Sequence, residues 1–241
     1  MAGTLSILAA RFLNSQPLQD LPGPRVCLLC GTRAERDGLC PGCRAALPWL
    51  PAVRCPTCAS PVPQPLTCGR CLAHLPVVDG VEAALAYAFP VDGLIHALKY
   101  RHHLAIAQCL GRLLAQAVRE MPRPDLVVAV PLGAQRLTER GFNQSLEIAR
   151  VAARVLEVPL ALEACRRVRD TLPQASLAFG ERAKNVRRAF VCGSGLEGKR
   201  VALVDDVLTT GASLNECARA LKKGGAAQVV GWVAARTLLD A

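Results

Sequence analysis

Aromatic side chains make up only 4% of the 241 residues, so a stacking platform for unpaired bases is thinly supplied. Long apolar runs are missing as well. Charges or prolines break every stretch short of the roughly 18 apolar residues a bilayer-spanning helix needs, and no membrane insertion is expected. The stretch LSILAARFL at residues 5–13 has no basic residue ahead of it and no small-residue cleavage pattern, so it reads as a short amphipathic helix or loose N-terminus rather than an export signal. Acidic residues are a minority, 19 against 29 Lys and Arg, which leaves a formal net charge of +10. Such an excess points to a phosphate-rich partner, either nucleic acid or a small phosphorylated ligand.

Cysteine, by contrast, is abundant, with 12 residues. Without an export signal they imply a reducing compartment, the cytoplasm, where thiols bind metal or fill cores rather than pair as disulfides. Eight of them form four C-x-x-C pairs, and Cys27, Cys30, Cys40 and Cys43 each recur 28 positions later as Cys55, Cys58, Cys68 and Cys71. The segment is a duplicated unit. Each unit supplies four thiolates, the set a closed tetrahedral structural zinc site needs, and the repeat favours one zinc per unit over a cross-braced arrangement. Between Arg25 and Cys71, six Arg stand against Glu35 and Asp37, a local +4 that two zinc ions with eight thiolates would cancel. The arginines therefore suit charge balance as well as a nucleic-acid surface. Cys109, Cys165, Cys192 and Cys217 lack metal spacing and read as small buried hydrophobes.

The texture changes near Val77, which divides the chain into residues 1–76, an N-terminal tail and small cysteine domain, and residues 77–241. In the second part, VEAALAYAF (81–89), LVVAV (126–130), VALV (201–204) and VVGWVAA (229–235) suit buried strands. Helical periodicity lies between them, over Leu94, Leu98, Leu110, Leu113, Leu114 and Ala117, and again from Leu146 to Leu156. This alternation predicts an α/β domain with a largely parallel sheet, in which ligands bind at the carboxyl ends of the strands.

Two stretches look like phosphate sites. GSGLEGK (193–199) fits parts of two glycine-rich patterns, but a strand follows it where the mechanism requires a helix N-terminus, so it reads as a turn between strands. VALVDDVLTTGAS (201–213) has the right context. Its strand delivers Asp205 and Asp206, and then Thr209, Thr210, Gly211, Ala212 and Ser213 lead into a helix of roughly Leu214 to Lys223, stopped by Gly224 and Gly225. The first turn of that helix offers unpaired N–H groups to a phosphate, Gly211 allows close approach, and the carboxylates accept from a sugar diol. A ribose phosphate satisfies both halves.

At this point the stretch closely resembles the ribose-phosphate loop of type I phosphoribosyltransferases, which bind phosphoribosyl pyrophosphate (PRPP) with Mg²⁺. LIHALKYRHH (94–103), VPLGAQRLTERGFNQS (130–145) and TLPQASLAFGERAKNVRRAF (171–190), with the cysteine repeat, resemble the ComF/GntX family, the competence-protein-F group of phosphoribosyltransferase-like proteins. The resemblance implies a type I phosphoribosyltransferase fold preceded by a double zinc ribbon. It implies that Asp205 and Asp206 hold the ribose hydroxyls and that the loop with Thr209, Thr210, Gly211, Ala212 and Ser213 holds the 5′-phosphate. By position, VPLGAQRLTERGFNQS would be the pyrophosphate loop, and Arg136 and Arg140, four apart, share a face if it is helical.

Residues 166–188 carry seven basic side chains against two acidic ones, and in the resemblance they correspond to the mobile loop over the site. Arg182, Lys184, Arg187 and Arg188 would face pyrophosphate or a nucleic-acid backbone, and Lys99 belongs to a basic cluster near the expected hood. His102 and His103 read as surface residues. The ComF resemblance implies handling of incoming single-stranded DNA, in natural transformation or in use of DNA as a nutrient. Two other readings stay open: an active phosphoribosyltransferase of unknown acceptor, and an adaptor docking a DNA-uptake helicase or recombination mediator through the ribbons.

Overall fold

The computed structural model describes residues 25–169 and 186–238. The duplicated cysteine segment repeats its backbone as faithfully as its sequence. In the first unit, helix α1 (Pro41–Ala45) follows Cys40; in the second, α2 (Gly69–Ala73) follows Cys68. Gly31 N–H donates to Cys27 O at 3.0 Å, and 28 positions later Ala59 N–H donates to Cys55 O at 2.9 Å. Both residues take positive φ, 76° and 56°, the left-handed turn that aims two sulfurs at one point; Ala59 does so against the clash of its Cβ.

The second part is built on four parallel strands in the order β1-β6-β5-β2, namely β1 (Gly80–Ala86), β2 (Leu126–Ala129), β5 (Arg200–Leu208) and β6 (Gln228–Arg236). Val201, Ala202, Leu203 and Val204 are fully buried, as expected for an inner strand covered on both faces. One face is covered by α3 (Val91–Arg101), α4 (Leu104–Ala117) and α6 (Gln144–Val155), whose Ile95, Leu98, Leu110, Leu114 and Ile148 enter the same core as Leu85, Val204 and Trp232. The other is covered by α7 (Ala212–Lys223) and an antiparallel hairpin of β3 (Cys165–Arg167) and β4 (Phe190–Cys192), through Leu214, Cys217, Leu221 and Phe190.

The ribbons cover the outer edge of β1, which would otherwise expose an unpaired strand. Val81 N–H donates to Pro56 O at 3.2 Å, Ala86 N–H donates to Pro48 O at 2.8 Å, and Arg54 donates to Ala83 O and pairs with Glu82, both at 2.9 Å. Leu39 and Leu47 of the first unit join the α3/α4 core, and Arg44 bonds both Asp37 and Gln116 of α4. Among the described residues, no helix is long and apolar enough to cross a membrane.

Two local expectations change, and one element goes unannounced in the sequence. The strand expected to end at Val204 continues to Leu208, because β6 runs alongside to Arg236 and supplies partners for Asp205, Val207 and Leu208. The helical pattern from Leu94 to Ala117 splits at His102, whose φ of 56° breaks the helix; its ring packs edge-on against Phe142 at 5.8 Å and its Nε2 bonds Arg140 O at 3.1 Å. The β3/β4 hairpin is too short to show a periodicity. GSGLEGK is the turn between β4 and β5, with Gly195 and Gly198 at positive φ.

Helices α4 and α6 meet at Gly111, where a Cβ would lie 2.6 Å from Val151 Cβ and 2.8 Å from Ile148 O. Gly111→Ala should therefore destabilise the protein by about 1–3 kcal/mol through overpacking, read from the denaturant midpoint. An unchanged midpoint would mean that the two helices separate without penalty.

Candidate functional site

Each repeat gathers its own four cysteines. The sulfurs of Cys27, Cys30, Cys40 and Cys43 all lie within 4.8 Å of one another, and so do those of Cys55, Cys58, Cys68 and Cys71. Cys30 and Cys40 are 3.6 Å apart at sulfur, Cys58 and Cys68 3.7 Å. A tetrahedral zinc with Zn–S bonds of about 2.3 Å sets neighbouring sulfurs about 3.8 Å apart, so both groups fit that ion in the sequential arrangement. Of the four remaining cysteines, Cys109, Cys165 and Cys217 are buried and Cys192 is half-buried.

At the carboxyl half of β5, Asp205 and Asp206 alternate across the strand and meet different partners. Ser145, at the start of α6, donates its hydroxyl to Asp205 Oδ1 at 2.8 Å, and Asp206 N–H donates to the same oxygen at 3.0 Å. Asp206 is 4% exposed; it forms an ion pair with Lys99 and accepts from Gln144 Nε2 at 3.3 Å. Lys99, grouped above with the cations near the hood, thus lies on α3 with its ammonium against this carboxylate. Burial and the neighbouring Asp206 charge push the Asp205 carboxyl up to about 7, against the pull of Ser145. Burial works the same way on Asp206, but the Lys99 ammonium outweighs it and holds that carboxyl below its ordinary range. In return, the carboxylate raises Lys99 despite burial.

Of the residues expected to bind pyrophosphate, Arg140 is tied to this site. Arg136 and Arg140 both sit on a short helix, α5 (Ala134–Arg140). Arg140 Nη1 donates to Gln144 Oε1 at 2.7 Å, and its guanidinium stands 5.3 Å from the centre of the Tyr100 ring. A chain of contacts therefore runs from Arg140 through Gln144 to Asp206 and Lys99. Asn143 fixes its geometry by capping α6 through Ser145 N–H at 3.0 Å and donating to Val130 O, at the end of β2, at 3.0 Å. Beyond β5, Gly211 takes φ 80° as the residue that caps α7, and a Cβ there would lie 3.3 Å from Asn215 Nδ2. Thr210 Oγ1 accepts from Ala212 N–H at 3.3 Å. Thr209, Thr210, Ala212 and Ser213 are half-buried around that turn.

The phosphoribosyl transferase domain family matches residues 96–236, and the double zinc ribbon domain matches residues 18–72. The DNA utilization protein YhgH of Escherichia coli (strain K12) is 36% identical over 224 residues, covering 89% of this chain and 98% of that protein. The Competence protein F of Haemophilus influenzae is 33% identical over 222 residues, covering 87% and 96%. The chain belongs to the ComF/GntX family. Among solved structures, a purine phosphoribosyltransferase from Pyrococcus horikoshii overlaps 53% of this chain and 80% of its own, at 21% identity and a TM-score of 0.33.

In this ComF/GntX chain the second ribbon and the turn after β5 are joined by a residue that sequence reasoning passed over. Arg236, the last residue of β6, is 1% exposed. It donates to Cys58 O at 2.9 Å, to Leu208 O at 2.9 Å, to Thr209 O at 2.8 Å, to Thr237 O at 2.8 Å and to Ser60 Oγ at 3.2 Å. No carboxylate pairs with it among the described residues, and burial lowers its pKa, with the Cys58 sulfur acting in the opposite sense. The one available signal was a charge closing a buried strand run. Gln144 and Ser145 were also missed, although they stand in the quoted GFNQS, because their role follows from where α6 begins.

The end of the basic segment reaches the same region. Arg188 N–H donates to Glu216 of α7 at 2.8 Å, and Arg187 O accepts from Arg169 at 2.6 Å. Both arginines border a cavity of about 770 Å³ that also borders Thr209, Thr210, Gly211 and Ala212. Arg182 and Lys184 lie outside the described residues.

Lysine at position 236 keeps the charge but lacks the planar fork, so several buried carbonyls lose their donor. Arg236→Lys should lower the unfolding free energy by about 3 kcal/mol, and a change under about 0.5 kcal/mol in denaturant melts would show that the clamp is dispensable. Asp205 gives a pH test. Because its folded pKa is raised from 3.8 to about 7, the folded chain holds more protons than the unfolded one between those values; the carboxyl's contribution is whole below pH 3.8 and is lost as pH rises through about 7. Asp205→Asn, which mimics the neutral form, should therefore stabilise the protein at pH 8 and leave it nearly unchanged near pH 4. Equal effects at the two pH values would contradict this placement of the charge.

Proposed function

We propose that this protein binds PRPP at the carboxyl end of β5 and acts, as its relatives' names indicate for them, in DNA utilization or competence. The observation that carries the ligand reading is Gly211 in its left-handed turn at the start of α7, directly after a strand that bears two carboxylates. In this reading Asp205 and Asp206 orient the ribose hydroxyls, while Thr209, Thr210, Gly211, Ala212 and Ser213 hold the 5′-phosphate and Arg136 and Arg140 the pyrophosphate. Both described hydrogen bonds to Asp205 fall on Oδ1, and we assign Oδ2 to a diol or to a metal-bound water. Mg²⁺ suits a donor set of carboxylate and pyrophosphate oxygens and would neutralise charge on the leaving group.

The chain Arg140–Gln144–Asp206–Lys99 favours a second reading, active transfer. The bond from ribose C1 to pyrophosphate breaks, the electron pair leaves with pyrophosphate, and an acceptor nitrogen forms the new bond. Arg140 then stabilises the departing charge while Gln144 keeps Asp206 aligned with the sugar. A third role, docking of a helicase or recombination mediator, belongs to the ribbons. We assign the protein to the cytoplasm, where reduced thiolates persist. We divide the chain into a tail with double zinc ribbon, residues 1–76, and a phosphoribosyltransferase-like domain, residues 77–241.

Calorimetry with PRPP and Mg²⁺ should show binding by the wild-type chain and at least a tenfold loss in the Asp205→Asn/Asp206→Asn double variant. Unchanged affinity would remove the carboxylates from the site. Pyrophosphate release across candidate bases and amines then separates transfer from binding alone.

A further inference from the structure

The cavity of about 770 Å³ is not the ribose site seen from another side. Asp205, Asp206, Lys99 and Gln144 do not border it. Its described walls come from the second ribbon, from the connection between α2 and β1, from α7, from the residues before β4 and from Val81, Leu208 and Arg236 of the sheet, and it meets the site above at the turn after β5. Its size falls in the range of small-molecule sites.

The chemistry of the walls is divided. Arg70, Arg187, Arg188 and Arg219 bring cations from three separate parts of the chain, while the carboxylate is Glu216. Glu216 is already engaged, paired with Arg219 and accepting from Arg188 N–H. Among the described lining residues, side-chain cations outnumber carboxylates. The remaining walls are aliphatic, from Leu75, Val78, Val81, Leu208 and Leu214. An inorganic anion would use the arginines and leave those aliphatic walls wet, and an uncharged apolar ligand would leave the Arg187 and Arg188 guanidinium groups without a counter-charge among the described residues, since Arg219 is paired with Glu216 and Arg70 donates to Cys58 Sγ.

We infer that this cavity is a nucleotide site, holding a phosphate on Arg70, Arg187, Arg188 and Arg219 and a base against the aliphatic wall. Guanidinium groups match phosphate oxygens bidentately, and an apolar wall takes the face of any base. Among the described residues that border the cavity there is no phenylalanine, tyrosine or tryptophan, so they offer little discrimination among bases. The same unit can arrive as a free nucleoside 5′-monophosphate or as the terminal nucleotide of a single strand. The inference goes beyond the PRPP reading; the two share the turn from Thr209 to Ala212, but the phosphate here lies on Arg70, Arg187, Arg188 and Arg219.

Calorimetry on the full chain uses dAMP and dTMP in one arm and a 5′-phosphorylated single-stranded oligonucleotide in the other. The expected result is binding with similar affinity for the two bases, weakened at least tenfold by Arg187→Ala/Arg219→Ala. Leu75 is 81% exposed, so Leu75→Glu adds a repelling carboxylate at the cavity without threatening the fold, and it should weaken binding likewise. Asp205→Asn should leave nucleotide affinity unchanged, whatever it does to PRPP. Binding of the oligonucleotide alone would support the site and identify a strand end as its source. The inference is overturned if neither arm binds, if the arginine and Leu75 variants bind as the wild type does, or if Asp205→Asn abolishes nucleotide binding.

Discussion

The structure turns on one buried guanidinium. Arg236 closes β6 and donates at once to the carbonyl of a cysteine in the second ribbon and to the carbonyls of Leu208 and Thr209, where β5 gives way to the proposed phosphate turn. A charge so buried is costly unless every donor is satisfied, and no carboxylate pairs with it among the described residues. The carbonyls satisfy it by hydrogen bonding, and a zinc tetrathiolate, carrying a net −2, would supply the missing counter-charge at Cys58. The metal site and the turn after β5 are thereby held to a single side chain. The ribbon forms one wall of the cavity beside the turn after β5 as well as a cover for the edge of β1.

A second constraint governs the carboxylates. Adjacent residues on a strand cannot share one environment, and here the asymmetry becomes electrical. Asp206 lies deep and keeps its charge through Lys99; Asp205, beside that charge and itself desolvated, holds its proton more tightly. Two like charges side by side are tolerable because one is neutralised and the other is easily protonated. A ligand bringing cations or diol donors would shift that balance toward the doubly charged form. The start of α6 engages both, since Ser145 and Gln144, consecutive in the chain, each serve one of the two carboxylates.

Legibility varied with the range of the interaction concerned. Four strands, the zinc ligands and the turn at Gly211 rest on local spacing, on runs of apolar residues and on glycine's freedom at positive φ. The false phosphate loop at GSGLEGK was rejected for the same kind of reason, since a strand follows it. The full length of β5 was not legible, because Asp205 and Asp206 look like a strand end until β6 is placed alongside. The break at His102 depends on Phe142 and on Arg140 O, some 40 positions away, and no local signal announces it. Lys99 could be counted as a cation but not assigned, since its partner lies 107 residues later.

The sequence by itself determined the duplicated four-cysteine sets, the alternation of the four parallel strands with helices and the strand that carries two carboxylates into a glycine turn, because each is written in short contiguous stretches of chain. Only the tertiary structure decided that Asp206 is neutralised by Lys99, that Gln144 links it to Arg140, that the ribbons seal the β1 edge, and that Arg236 ties the second ribbon to the turn after β5. Those contacts join residues that the chain separates widely. Packing alone brings them within hydrogen-bond distance, and burial then makes each one energetically binding.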